Sequence, residues 1–203
     1  DATYLVTGGL GGVGLEIAKG LVKQGARYLV LMGRRGASEA VQPVLREFEA
    51  AGVTVKVAAA DVANLDDLAR VLAEVEQTMP PLRGVFHAAG VTDDGVLLQQ
   101  DAACFKRVMT PKITGTWNLH TLTADKPLNY FVLFSSVASL FGLGGQGNYA
   151  AANAFMDSFA HYRRALGLAA VSINWGVWDE LGLAVGLGNY FKSVGLGAMN
   201  ADT

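Results

Sequence analysis

Short apolar segments alternate with helical periodicities along most of the chain, and this alternation constrains the fold more than any other feature. Six segments rich in β-branched and aromatic residues have the length of buried strands: residues 4–6, 28–32, 53–57, 84–87, 130–134 and 171–174. Between them, apolar residues recur at spacings of three and four in segments 12–24, 39–51, 65–76, 101–123 and 149–166. We therefore predict an α/β fold with a doubly wound, Rossmann-type parallel sheet of strand order 3-2-1-4-5-6.

The composition predicts one globular domain over residues 1–203. Of the 203 residues 51% are hydrophobic, which suffices for a substantial core. The net charge of −2 gives no general attraction to nucleic acid or to an anionic membrane. No apolar run reaches the roughly 18 residues of a membrane span. Cys104 is the only cysteine, which argues against a thiolate metal cluster and fits a cytoplasmic protein.

The last part of the sequence has a different texture. Beyond residue 175, glycines alternate with apolar side chains without a clear period, and we predict a substrate lid over residues 176–203. The side chains expected to line its entrance are Trp175, Trp178, Leu181, Leu183, Tyr190 and Phe191. The alternative for this set is ordinary packing against the core.

A glycine-rich segment joins the first predicted strand to the first predicted helix. It consists of Thr7, Gly8, Gly9, Leu10, Gly11, Gly12, Val13 and Gly14. Glycine permits a tight turn and lets a pyrophosphate approach backbone N–H groups at the positive end of the helix. Because the segment lies between a strand and a helix, we predict that it binds a dinucleotide rather than serving as a plain turn.

The end of the second predicted strand indicates which dinucleotide is bound. Gly33, Arg34 and Arg35 stand where an acidic residue would accept hydrogen bonds from an adenosine ribose. Two guanidinium groups favour a 2′-phosphate, and therefore NADPH, although arginines can also simply solvate a loop. Further cofactor contacts are expected after the third and fourth strands, from Asp61, Val62, Ala88, Ala89 and Gly90.

Two hydroxyl groups indicate the chemistry. Ser136 follows the fifth predicted strand, and Tyr149 begins a helix thirteen residues later, so both are expected at the carboxyl edge of the sheet. Reduction of a ketone needs a proton donor for the developing alkoxide and a second donor that holds the oxygen. Tyrosine suits the first task and serine the second. The pair predicts carbonyl reduction, against the alternative that Tyr149 only packs on the sheet.

One departure from a common pattern makes the assignment more specific. Asn153 stands four residues after Tyr149, where common short-chain dehydrogenases have Lys, and Lys112 stands on the helix that supplies their Asn. With this exchange the chain resembles the ketoreductase domains of modular polyketide synthases and related fatty acid synthases. The resemblance extends through the glycine-rich segment and the motifs at residues 34–36, 87–91, 134–136, 146–154 and 172–176.

The resemblance implies a reaction and a set of roles. Hydride would pass from NADPH to a β-ketoacyl chain carried on the phosphopantetheine arm of an acyl carrier protein. Tyr149 would protonate the oxygen and Ser136 would orient it. Lys112 would lower the pKa of Tyr149 and hold the nicotinamide ribose, and Asn153 would support proton resupply. The remaining cofactor contacts implied by the resemblance are Trp175, Gly176 and Val177.

Members of the family divide by product stereochemistry, and the loop after the fourth strand favours the B-type, 3R-hydroxy product. Thr92, Asp93 and Asp94 replace the Leu-Asp-Asp of that group and keep its more diagnostic second acid. Phe141 stands where the opposite group has Trp, and Gln146 fits the subtype that acts on unbranched chains. Trp178 is a further candidate for substrate contact. Asp93 and Asp94 can equally be ordinary loop residues.

Two other functions remain open. A freestanding short-chain reductase of small ketones or CoA esters is disfavoured by the exchange of Lys112 and Asn153, and an inactive NADPH-binding structural domain is disfavoured by the intact catalytic set. Family members carry a structural subdomain before the catalytic one and a final helix and strand after the lid. We therefore expect an excised part of a megasynthase, without the seventh strand and with that subdomain as a partner.

Two further classes of site are not favoured. Ser136 lacks the Gly-x-Ser-x-Gly elbow of a serine hydrolase. The three histidines, His87, His120 and His161, are too scattered to predict a metal site, and we expect them to be structural or surface residues.

Overall fold

The computed structural model describes residues 1–178, 195 and 197–199. Its main sheet consists of β1 (Thr3–Thr7), β2 (Tyr28–Gly33), β3 (Thr54–Ala59), β4 (Leu82–His87), β5 (Tyr130–Ser136) and β6 (Val171–Trp175). All neighbouring pairs are parallel, and the order is β3-β2-β1-β4-β5-β6. The predicted fold class and strand order are therefore confirmed.

Six α-helices cover the sheet within the described residues: α1 (Gly12–Lys23), α2 (Gln42–Ala50), α3 (Leu65–Thr78), α4 (Ala102–Thr121), α5 (Ala138–Phe141) and α6 (Gly147–Ala165). The sequence predicted all of them except the single-turn α5. The segment expected to be helical from residue 39 begins as a 3₁₀ turn, Glu39–Val41, and continues as α2. Asn64 caps α3 by accepting hydrogen bonds from the N–H groups of Asp66 and Asp67, which fixes where that helix begins.

The core lies on both faces of the sheet because consecutive strand residues point in opposite directions. In β1, Leu5 belongs to the apolar cluster that includes Leu133 and Met156, while Val6 belongs to the cluster that includes Leu31 and Phe48. Such burial on both faces explains why the central strands are apolar throughout. In the part of the chain that the structure describes, no helix is long and apolar enough to span a bilayer.

The predicted lid is described only in part. Its first residues form β7 (Val177–Trp178), which pairs in parallel with β8 (Ala198–Met199) in a separate two-stranded sheet. This pairing brings residues 177–178 and 198–199 together. The candidate entrance residues Leu181, Leu183, Tyr190 and Phe191 lie outside the described residues.

Candidate active site

The carboxyl ends of the strands border a cleft of about 850 Å³, at the point where the strand order reverses between β1 and β4. Most residues predicted to contact a cofactor line it: Thr7, Gly8, Leu10, Gly11, Gly12, Val13, Gly14, Gly33, Arg34, Arg35, Asp61, Val62, Ala88, Ala89, Gly90, Trp175, Gly176 and Val177. Lys112, Ser136 and Tyr149 line the same cleft. The fold thus brings the glycine-rich segment and the predicted reducing groups to one site.

The glycine-rich segment is packed too closely for side chains at two positions. Gly8 has a φ of +71°, and a Cβ added there would lie 2.9 Å from the backbone nitrogen of Ala89. A Cβ on Gly14 would lie far inside van der Waals distance of the carbonyl oxygen of Gly8. Gly9, which was predicted to contact the cofactor, does not line the cleft; it packs beneath the turn, against the backbone of Val6.

The backbone N–H groups of this segment differ in their availability. Those of Gly8 and Gly9 donate to the carbonyl oxygen of Met32. The N-cap of α1 is Gly11, and no side chain among the described residues caps the helix. The first turn of α1 therefore presents backbone donors and the positive end of the helix dipole to the cleft, which suits a phosphate group.

The two arginines line the cleft directly after β2. Arg34 and Arg35 are exposed at the end of β2, and neither forms an ion pair with any described residue. Asp61 accepts a hydrogen bond from the N–H of Ala63, which shapes the turn after β3. With two free guanidinium groups, an uncapped helix and a turn that excludes side chains, the residues present fit a phosphorylated dinucleotide.

Tyr149 occupies the first turn of α6, and Ser136 is the last residue of β5. Burial raises the pKa of the Tyr149 phenol above its ordinary value, while the side chains of Asn153 and Ser136 act in the opposite direction. The phenol is therefore protonated at neutral pH. The Ser136 hydroxyl accepts a hydrogen bond from the N–H of Ala138, which fixes its position at the start of α5.

Lys112 is buried, with 3% of its surface exposed. Its ammonium group donates a hydrogen bond of 2.9 Å to the carbonyl oxygen of Phe134 and lies 5.5 Å from the centroid of the Tyr149 ring. Burial lowers the pKa of Lys112 to about 7, against an opposing effect of Asp157. The pKa of Tyr149 is raised overall because burial of the phenol dominates, and the Lys112 ammonium donates its hydrogen bond to β5. That Lys112 lowers the pKa of Tyr149 stays a prediction.

Asn153 lies behind Tyr149 rather than in the lining of the cleft. It is fully buried, and its amide donates a hydrogen bond of 2.8 Å to the Tyr149 carbonyl oxygen, one turn earlier in α6. Its Oδ1 atom has no hydrogen-bond partner among the described residues. Asn153 therefore contacts the backbone of Tyr149 and keeps an acceptor that no described residue uses.

Of the residues proposed for stereocontrol, Gln146, Asp93 and Asp94 are joined by hydrogen bonds near the cleft, whereas Phe141 is exposed. Gln146 lines the cleft and donates a hydrogen bond of 2.8 Å to the Asp94 carboxylate, and the Asp93 carbonyl oxygen accepts one of 2.8 Å from Asn148. These bonds join the loop after β4 to the start of α6, although neither aspartate lines the cleft. Phe141 does not line the cleft, and 77% of its surface is exposed.

Several lining residues were not predicted. Leu143 occupies the cleft in the turn after Phe141, and Trp178 joins it from β7 as expected. One face of α4 also contributes, through Ala103, Lys106, Arg107 and Thr110. The spacing of three and four residues along that face, ending two residues before Lys112, was a signal available in the sequence.

His87 is structural, as expected. It is fully buried, accepts a hydrogen bond at Nδ1 from the Thr7 hydroxyl and donates from Nε2 to the Pro111 carbonyl oxygen. Burial, with a smaller contribution from Lys112, lowers the pKa of His87 to about 3, so the ring is neutral. It ties β1 and β4 to α4 directly before Lys112. Across the described residues, no group of three metal-ligating side chains comes together.

Comparison with known proteins identifies clear relatives. A family model described as the KR domain matches residues 2–180. A mycocerosic acid synthase-like polyketide synthase of Mycobacterium tuberculosis is 43% identical over 185 residues, which cover 91% of this chain and 9% of that protein. The chain therefore spans only a small part of the length of that relative.

Solved structures give the same result. An A-type ketoreductase from a modular polyketide synthase is 46% identical, with a TM-score of 0.84 over 88% of this chain and 38% of that one. The first ketoreductase of the tylosin polyketide synthase is 43% identical, with a TM-score of 0.90 over 99% of this chain and 44% of that one.

Proposed function

Since the chain belongs to the KR-domain family, the ketoreductases of polyketide synthases, we propose that it reduces a β-ketoacyl thioester to the β-hydroxyacyl thioester with NADPH. The observation that carries the proposal is the meeting of Ser136, Tyr149 and Lys112 with the glycine-rich segment in one cleft. The proposed catalytic set is Lys112, Ser136, Tyr149 and Asn153.

When bound, the cofactor supplies the hydride that adds to the β-carbonyl carbon. The Tyr149 hydroxyl donates its proton to the carbonyl oxygen, and the Ser136 hydroxyl donates a hydrogen bond that holds this oxygen. Because burial raises the pKa of Tyr149, the phenol keeps its proton until a developing alkoxide draws it away. The phenolate left behind lies beside the Lys112 ammonium group and the Asn153 amide, which offset its charge until solvent returns a proton.

Preference for NADPH over NADH is proposed from the charge at the end of β2. Arg34 and Arg35 are exposed at the cleft and unpaired within the described residues, and no carboxylate follows Gly33 to accept hydrogen bonds from a ribose. Guanidinium groups form paired, charge-assisted hydrogen bonds with phosphate. A 2′-phosphate would therefore be favoured here over a free hydroxyl.

The proposed substrate is presented by an acyl carrier protein on its phosphopantetheine arm, and a structural subdomain of the same synthase is a proposed partner. The family membership supports both, since the mycobacterial relative is a far longer synthase. Carrier-bound and free forms of one β-ketoacyl chain would be compared by following NADPH oxidation. Efficient turnover of both forms is expected for a ketoreductase, with a higher kcat/KM for the carrier-bound chain. Equal kcat/KM values would favour a freestanding reductase, and no turnover would favour an inactive domain.

We also propose a B-type, 3R product. Asp94, the diagnostic acid, accepts a hydrogen bond from Gln146, so the loop that carries it is fixed beside the start of α6. The A-type relative, 46% identical to this chain, makes a 3S product the competing outcome. Reduction of a racemic 2-methyl-3-ketoacyl thioester, followed by chiral analysis of the alcohol, distinguishes them. A 3S alcohol would refute the B-type assignment without affecting the proposal of ketoreduction.

A further inference from the structure

Asp157 carries an extensive hydrogen-bond network that no sequence motif indicates. It lies on the face of α6 that carries Tyr149 and Asn153, one helical turn after Asn153 and two after Tyr149. Its Oδ2 atom accepts hydrogen bonds from the Ser139 hydroxyl at 2.6 Å and the Asn174 amide at 2.8 Å. Its Oδ1 atom accepts one from the Ser172 hydroxyl at 2.6 Å. Both carboxylate oxygens are therefore engaged.

The three donors belong to α5, which follows Ser136 in the sequence, and to β6, which pairs with the strand of Ser136. Ser139 lies in α5, which begins two residues after Ser136. Ser172 and Asn174 lie in β6, which pairs with β5 so that Ser136 stands opposite Trp175. Asp157 consequently ties α5 and β6 to α6, the helix that carries Tyr149.

The hydrogen-bond donors around Asp157 favour its ionised form. Partial burial raises the pKa of Asp157, but hydrogen bonds from Ser139, Ser172, Ser135 and Asn174 outweigh it and hold the pKa below its usual range. The carboxylate is ionised at neutral pH, and charge-assisted hydrogen bonds of this kind are stronger than neutral ones. An amide in its place would carry no charge and would have an N–H group where one of the two accepting oxygens stands.

The separation of Ser136 from Tyr149 depends on how firmly their elements are joined. Ser136 is the last residue of β5, and Tyr149 lies in α6. Between these two elements the chain forms α5 and then a turn. The intervening turn contains three glycines, at positions 142, 144 and 145, and Gly142 and Gly145 both have positive φ. A turn of this composition does little to hold the two elements in register, whereas the side-chain bonds of Asp157 span the gap directly.

We propose that Asp157 is a positioning residue for the reduction: it holds the Ser136 segment against α6 so that the Ser136 and Tyr149 hydroxyls reach the same substrate oxygen. This role rests on the proposed function, because it presupposes that the two hydroxyls act together on a carbonyl. Asp157 itself does not line the cleft and touches no reacting atom. Its effect is on geometry, and a displacement of about 1 Å can cost roughly 100-fold in rate.

The test compares Asp157→Asn with wild-type protein in reduction of a β-ketoacyl thioester of N-acetylcysteamine. We expect kcat to fall by about 10- to 100-fold, with the Kd for NADPH, measured by fluorescence, within about twofold of wild type. With NADPH deuterated at the transferred position, the isotope effect on kcat should rise, because misplaced hydroxyls slow the chemical step itself. A loss of folded protein alone would lower the apparent kcat in proportion to the active fraction but would leave the isotope effect unchanged.

A matched control uses another helix-associated carboxylate. Asp101 caps α4, the helix of Lys112, by accepting a hydrogen bond from the Cys104 N–H, and Asn also serves as an N-cap. Asp101→Asn should therefore leave kcat unchanged. Ser139→Ala provides a second route should Asp157→Asn fail to fold. It removes the donor nearest Ser136 and should lower kcat more than Ser172→Ala, which removes the donor at the far end of β6.

The outcomes are separable. A folded Asp157→Asn protein with the kcat and isotope effect of wild type would overturn the positioning role alone. If that variant does not fold, Ser139→Ala with the same kcat as Ser172→Ala would overturn it. Absence of NADPH-dependent turnover in the wild-type protein would overturn the proposed function, and the positioning role with it.

Discussion

The two walls of the cleft are built by different means. The glycine wall, formed by residues 7–8, 10–14, 33–36 and 60–63, owes its shape to backbone packing, as at Gly14, where no Cβ fits. The tyrosine wall, formed by residues 110–112, 134–137, 146, 149 and 175–178, depends on buried polar side chains such as Lys112. Close behind it, Asp157 holds α6 against α5 and β6. One wall is suited to binding and the other to chemistry.

This difference suggests that the walls can be perturbed separately. Backbone donors and exposed arginines interact with phosphate groups whatever the protonation state of the other wall. The buried groups of the tyrosine wall respond instead to pH and to small changes of geometry, because burial penalises their charged forms. Changes in the glycine wall should affect cofactor binding or folding, and changes in the tyrosine wall should affect turnover.

The largest effect is expected for Tyr149→Phe. Removing the proposed proton donor should lower kcat by roughly 100- to 10,000-fold, the usual contribution of general acid catalysis. The Kd for NADPH should stay within about twofold, because the phenyl ring keeps its place on α6. Stopped-flow turnover and fluorescence titration measure the two quantities. A comparable loss of cofactor affinity would mean that the walls are not separable.

A change in the glycine wall should act on folding instead. In Gly14→Ala the new Cβ would clash with the Gly8 carbonyl oxygen, and such overpacking costs about 1–3 kcal/mol in free energy of unfolding. Gly20 lies on the same helix with nothing within 4 Å of an added Cβ, so Gly20→Ala should gain about 0.5–1 kcal/mol. Urea denaturation of both variants checks this contrast. Equal stabilities would contradict the close packing of the turn.

Arg34→Ala should change the preference of the protein between NADPH and NADH. Loss of a hydrogen bond to a charged phosphate typically costs about 1.5–3 kcal/mol, which predicts a loss of roughly 10- to 100-fold in kcat/KM for NADPH. The value for NADH should change little. Arg46, an exposed arginine on α2 outside the cleft, provides the control variant Arg46→Ala. An equal loss for both cofactors would argue against recognition of a 2′-phosphate by Arg34.

A gradual effect is expected on the pH dependence of stability. The pKa of Lys112 is lowered to about 7 in the folded protein, from an ordinary value of 10.5. Between these values the unfolded chain binds the additional proton, so the free energy of unfolding should rise with pH, by up to about 1.4 kcal/mol per pH unit. In the Lys112→Met variant this rise of the free energy of unfolding with pH should be absent. Parallel stability curves from pH 7 to 9 would show that Lys112 is not buried as described.

Local sequence patterns predicted the glycine wall and the order of the sheet well. Strand length, helical spacing and the positions of Gly8 and Gly14 are properties of short segments, and each element follows from a few neighbouring residues. The spacing of Ser136 and Tyr149 also placed both in the cleft. Gly9 is the exception, since only the packing of the turn on β1 shows that it faces away from the cleft.

The support behind the tyrosine wall could not be predicted in the same way. Asp157 meets Ser139, Ser172 and Asn174 at sequence separations of 15 to 18 residues, and no spacing rule connects them. The net upward shift of the Tyr149 pKa comes from burial, which a sequence motif does not reveal. Such features become visible only when the elements are packed together.

Transfer of deuterium from labelled NADPH tests the central claim most directly. The wild-type protein would be mixed with a β-ketoacyl thioester and NADPH deuterated at the transferred position, and the product analysed by mass spectrometry and nuclear magnetic resonance. The proposed reaction yields a β-hydroxyacyl thioester that carries one deuterium on the β-carbon for each NADPH oxidised. Absence of this product, or a hydroxyacyl product without deuterium at that carbon, would contradict it.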